Sequence, residues 1–171
     1  MIMKKIKLIT LFFLITASTY GQIKIKQFNK ENFSINYPDN WRLDTSGRMN
    51  TTFILFSETL EKDLFNENIN MTIQDLTNQG FTMDSYVKLS ENQIESMVVD
   101  GQIIESIYNK EKKFHTLVWS GKVTGRVLKF KQYFFLKNEK IYLITLTTLP
   151  STYDEYLEEG NKILNTFKLK L

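Results

Sequence analysis

Phe33-Ser34-Ile35-Asn36-Tyr37-Pro38-Asp39-Asn40-Trp41 alternates apolar and polar side chains and then breaks on a turn cluster. Period-two alternation lets one face of a strand bury while the other meets solvent. Proline removes a backbone donor, and Asp and Asn bond their own backbone, so Pro38-Asp39-Asn40 ends the strand. Trp41 follows that turn. It reads as a core plug at the sheet end, with lining a cleft as the functional alternative. The same period recurs at Gln22–Phe28, with Ile23 and Ile25 opposite Lys24 and Lys26, and at Asn68–Leu76, with Ile69, Met71 and Ile73 on one face. Thr52–Ser57 is a short apolar run. Gln102–Tyr108, Phe114–Lys122, Arg126–Leu136 and Lys140–Thr148 follow, joined by short polar links. Links that short suit hairpins, so these four strands are expected to form an antiparallel meander.

Two segments carry helical spacing. Met83–Val98 places Tyr86, Val87, Ser90, Ile94, Met97 and Val98 on one side. Tyr153, Tyr156, Leu157, Gly160, Ile163, Leu164 and Phe167 recur at three and four near the C-terminus. Thr152 and Glu155 are spaced for a capping box at the start of that helix. Gly160 falls within the buried stripe, where it lets the helix approach a sheet closely at a cost in helix propensity. Glu58–Asn68 reads as a long exposed loop. Strands, a helix, a long meander and a closing helix give an α+β domain: an antiparallel sheet flanked by helices.

The start of the chain reads differently. Lys4, Lys5 and Lys7 precede a ten-residue apolar core, Leu8–Ala17, and small residues lead to Gly21 before Gln22. This three-part pattern is a cleavable secretory signal over residues 1–21, leaving one soluble domain over 22–171, expected to be periplasmic or secreted. A membrane span needs about 20 apolar residues, and no later segment has them. Of the 22 Lys and Arg, three lie in the leader, which leaves 19 against 19 acidic residues. A balanced mature chain gives no footing for nucleic acid, which is bound through clustered uncompensated positive charge. The chain has no cysteine. Disulfides, thiol nucleophiles and Cys-based zinc sites are therefore excluded.

Phe33-Ser34-Ile35-Asn36-Tyr37-Pro38-Asp39-Asn40-Trp41 also resembles the opening of PsbP-like domains. Asn68–Ile73, the paired strands through Gln132-Tyr133 and Ile141–Thr147, and the close Ile163-Leu164-Asn165-Thr166-Phe167-Lys168-Leu169 are similar to that family in order and pattern. The resemblance covers about residues 30 to 170. It implies a PsbP-like α/β/α sandwich. Functions in that family scatter across a photosystem extrinsic subunit, a Ran-binding nuclear import factor and exported bacterial DcrB-like proteins. Most act by binding or assembly, so the resemblance implies a non-enzymatic module without naming its partner. Metal-binding histidines of photosynthetic members do not carry over, because His115 is the only histidine here.

Candidate site residues are few. His115 shares a strand face with Leu117 and Trp119, and it alone has an unperturbed pKa near neutrality. A small-molecule-binding enzyme or envelope hydrolase built on His115 is the alternative function. No G-x-S-x-G elbow points to a serine partner, and no second ligand lies at helical or strand spacing from His115. We therefore expect no catalytic constellation, no metal site and no cofactor. The binding candidates are Trp41, His115 and Trp119, and the expected partner is an envelope protein or other periplasmic component. Phe130, Phe134, Leu128 and Leu136 alternate along one strand and read as core.

Overall fold

The computed structural model describes residues 23–58 and 65–170. The expected leader, 1–21, and the middle of the expected acidic loop lie outside the described residues. The chain runs β1 (Ile25–Asn29), β2 (Phe33–Pro38), β3 (Arg42–Asp44), β4 (Phe53–Phe56), β5 (Asn68–Asp75), α1 (Met83–Met97), β6 (Val99–Asn109), β7 (Phe114–Val123), β8 (Arg126–Lys137), β9 (Lys140–Thr148), α2 (Tyr153–Leu164) and β10 (Lys168–Leu169). A seven-stranded antiparallel sheet has the order β3-β4-β5-β9-β8-β7-β6. The expected meander is its β6–β9 half. The fold is α+β, as the alternation indicated.

Two tight hairpins fix that meander's register. Val123 pairs with Arg126 and Lys137 with Lys140. The intervening residues, Thr124-Gly125 and Asn138-Glu139, all have positive φ. Two successive left-handed residues match the twist of the flanking strands. With register set, each strand's apolar alternation fills one of two cores. Tyr86, Val87 and Ile94 of α1 cover Leu117, Trp119, Leu128, Phe130, Phe134 and Ile141 on one face. Ile163 and Leu164 of α2 cover Met71, Tyr133, Ile144 and Leu146 on the other, together with Phe33, Ile35 and Tyr37 of β2.

Several expectations are corrected. β1, β2 and the two-residue β10 form a separate three-stranded sheet beside α2. Ile23 and Ile25 are not its buried face: they are 59% and 65% exposed. Phe28 faces the core instead, because Gln27 pairs with Asn36 and Phe28 with Ile35. Met97 lies exposed at the end of α1. The capping box forms at α1, between Thr82 and Ser85, and not at α2. The Thr152 hydroxyl donates to the Glu67 carboxylate instead. That pairing places Glu67 in the interior at 1% exposure, although the surrounding segment reads as an exposed loop. Phe167 sits beyond the end of α2, in the turn before β10, so it extends the stripe without being helical.

Gly160 behaves as its position implies. A Cβ there would stand 2.6 Å from Cδ2 of Leu146, which is fully buried on β9. The expected result for Gly160→Leu is a net loss of stability in urea melts. Overpacking costs about 1–3 kcal/mol, against a helix-propensity gain of about 1 kcal/mol. A more stable variant would show that α2 does not sit down on β9.

Candidate functional site

The three residues singled out in the sequence do not converge. Trp41 is 1% exposed and belongs to the core under α2. Its N–H donates to the Pro38 carbonyl at 3.0 Å, which closes the turn predicted there. His115 and Trp119 share the opposite sheet face, as period two required, with Leu117 between them. Trp119 stacks on Phe130 with centroids 4.0 Å apart. Its indole N–H donates to Gln132 Oε1 at 2.8 Å, and the Gln132 amide reaches Thr145 Oγ1 at 3.3 Å. Its polar handle is thus satisfied within the sheet. Trp119 also walls a cavity of about 480 Å³ beneath α1, with Tyr86, Met97 and Leu143.

His115 is joined to a serine and a carboxylate that the sequence did not point to. Ser106, on the neighbouring strand β6, bonds Glu91 Oε1 of α1 at 2.6 Å and lies 2.8 Å from His115 Nε2. The order is Glu–Ser–His. In a hydrolytic triad the acid orients the imidazole and the imidazole takes the serine proton. Here Glu91 Oε1 accepts from Ser106, so the single Ser106 proton is committed to it. Nε2 must then carry a proton and donate to Ser106. Nδ1 becomes the bare lone pair, buried and without a hydrogen-bond partner. The imidazole cannot deprotonate Ser106 in this arrangement.

Burial pushes the His115 pKa below its ordinary 6.5, while Glu91 and Asp84 pull the other way and do not cancel it. The unfolded chain therefore takes up the proton first as pH falls. Stability from this group is complete above the unfolded pKa, about 6.5, and is lost as pH drops from there toward the folded value. Denaturant midpoints should fall across that window, and His115→Gln should flatten this part of the profile. An unchanged slope would show that His115 is not buried as the neutral form.

A larger concavity lies on the other side of the molecule, beside α2. A groove of about 630 Å³ runs between α2 and the outer face of the small sheet. Ile23, Ile25, Pro38 and Ile163 give it an apolar lining, and Glu155, Glu158 and Glu159 edge it. Lys162 pairs with Glu158 at 2.7 Å. That hydrogen-bonded contact holds Glu158 below the usual carboxylate range. Glu155 and Glu159 then leave the rim net negative. The sequence signal for this site was ambiguous: Ile23 and Ile25 alternate with lysines as a half-buried strand would, but nothing covers that face among the described residues. No group of three or more His, Cys, Asp or Glu able to hold a metal occurs among the described residues. None of their helices is long and apolar enough to cross a membrane.

No protein-family model and no curated protein matches the sequence. Solved structures do match. The cyanobacterial PsbP of Synechocystis sp. PCC 6803 aligns over 92% of this chain and 99% of its own, at 16% identity and a TM-score of 0.59. The chain has the PsbP-like fold. LpqN of Mycobacterium tuberculosis, a protein involved in cell envelope biogenesis, aligns over 86% of this chain and 92% of its own, at 12% identity and a TM-score of 0.60. PA94 of Pseudomonas aeruginosa aligns over 81% and 92%, at 14% identity and a TM-score of 0.56. At such identities the likeness carries the PsbP-like fold, and site residues rest on this chain's own geometry.

Proposed function

We propose that this chain is an exported, non-enzymatic binding or assembly module that works outside the cytoplasm. The open groove beside α2 carries the reading. It is lined by Ile25 of β1 and Ile23 just ahead of it, both exposed, and large apolar side chains left bare beside a concavity suit docking. The secretory pattern at residues 1–21 supports export, and the cell-envelope role of LpqN, which shares the PsbP-like fold, is compatible with it. The inverted Glu91–Ser106–His115 order weighs against the His115 hydrolase.

The test has two arms. Mature protein recovered from cells should begin at or within two residues of Gln22 by mass spectrometry. Tagged mature protein should capture an envelope component and leave generic ester, peptide and phosphate substrates unturned. Hydrolysis abolished by His115→Ala would reverse the reading, as would an intact Met1 end on membrane-embedded protein.

A further inference from the structure

The groove beside α2 does not stop at Pro38. Across the Pro38–Trp41 turn lies a recess of about 180 Å³, walled by Trp41 and Tyr156. Glu155 and Glu159 line both cavities. They stand four residues apart, so they project from one face of α2 and form a shared rim. Glu58 adds a third carboxylate to the recess, and no basic side chain among the described residues lines it.

Ser57 supplies an independent observation. It is 6% exposed, lines the recess, and its Oγ has no hydrogen-bond partner. Its backbone N–H is already bonded to the Glu67 carbonyl at 2.9 Å, so the hydroxyl is the donor left unpaired. A buried hydroxyl left unpaired is costly, and a ligand group that bonds it removes that cost.

We infer that the groove and recess together take an extended peptide segment of a partner protein, with a lysine or arginine side chain in the recess and apolar neighbours against Ile23, Ile25 and Pro38. This rests on the binding-module reading and specifies the partner's chemistry. Charge complementarity selects the occupant. Three carboxylates, with the unpaired Ser57 hydroxyl beside them, suit an ammonium or guanidinium, which has donors and no acceptor. An aromatic wall favours a cation over a neutral polar group. The aliphatic stem of lysine or arginine can lie along the apolar approach while its head reaches the carboxylates. The recess has room for one side chain, and the larger groove for its neighbours. An acidic segment would be repelled at the shared rim.

The experiment is a titration of ¹⁵N-labelled mature protein with the capped peptide Leu-Val-Lys-Val-Leu, and with the same peptide carrying glutamate or norleucine in place of lysine. Even binding near a Kd of about 1 mM, roughly −4 kcal/mol, is readable by amide shifts. The lysine peptide should move the signals of Ile25, Asn40, Ser57 and Glu159, and bind at least about tenfold more tightly than the glutamate peptide. High salt and the double variant Glu155→Gln, Glu159→Gln should both erase that preference. Ile25→Ser, on an exposed position, should weaken the lysine and norleucine peptides alike.

Equal binding of the glutamate peptide, shifts mapping elsewhere, or no shifts at all would overturn the inference. If the double variant still captures its envelope component while the peptides show no preference, the binding module stands and the cationic segment falls. If the lysine peptide binds at the groove but nothing is captured from the envelope, the site stands and the envelope role falls.

Discussion

Phe167→Ala should lower the stability of the mature domain by about 3–5 kcal/mol, from burial lost and cavity left. The ring is 6% exposed and sits where the three layers meet. It stacks on Phe33 of the small sheet at 5.7 Å and leans on Phe135 of the large sheet at 5.0 Å. Phe33 in turn contacts Phe28 and Phe53. One side chain therefore ties β10's turn to both sheets, and its removal leaves partners on two sides that cannot all close in. A domain of ordinary stability has about 5–15 kcal/mol in total, so the urea midpoint should fall steeply. Lys168→Ala next door removes only an exposed side chain and should stay within about 0.5 kcal/mol of the wild type. Equal effects of the two substitutions would mean that the layers are not joined at Phe167.

The legible part of this fold was local. β2 shows alternation whose buried face the structure confirms, because a half-buried strand writes its environment into successive residues. On β5 the expected face holds at Ile69 and Met71 but fails at Ile73, which is 37% exposed, and β9 is buried on both faces. The stripe of α2 was legible for the same reason at period 3.6. β10 was not. It is two residues long, and its place is set by pairing Lys168 with Ser34 and Leu169 with Phe33, far away in sequence. Ile23 and Ile25 show the limit of periodicity: it reports which side chains share a face, not whether another layer covers that face. Thr152 fails differently. Its spacing to Glu155 fits a cap, but its backbone is helical, φ −105° and ψ −2°, instead of the extended form typical of a cap, and its hydroxyl donates to the buried Glu67 carboxylate.

The candidate residues divide along the same line. That His115, Leu117 and Trp119 share a face followed from strand geometry. Ser106 and Glu91 became visible only through the diagonal between β6 and β7 and the seat of α1 over them. The groove is assembled from β1, β2 and α2, so no contiguous motif could announce it. Composition contributed most where it excludes: without cysteine, thiol and thiolate–metal chemistry have no residues to use.

Trp41→Ala is expected to be as damaging as Phe167→Ala, and for a reason that separates its two readings. At 1% exposure the indole is wholly part of the core under α2, and only its margin walls the recess. Truncating a buried Trp costs about 3–5 kcal/mol. At about 2–4 °C per kcal/mol for a domain of this size, the thermal midpoint should drop by roughly 6–20 °C. The turn itself should survive, because its bonds are made by backbone: Trp41 N–H to Pro38, and Asp39 N–H to the Lys24 carbonyl at 2.8 Å. Trp41→Phe keeps most of the volume and should cost clearly less than the Ala variant. It also separates plug from cleft. A variant that folds well yet loses the lysine peptide shows the indole acting as a wall of the recess, whereas one that folds and binds shows it acting as a plug alone. A Trp41→Ala protein that melts with the wild type would remove Trp41 from the core and, with it, the anchor that holds the Pro38–Trp41 turn between groove and recess.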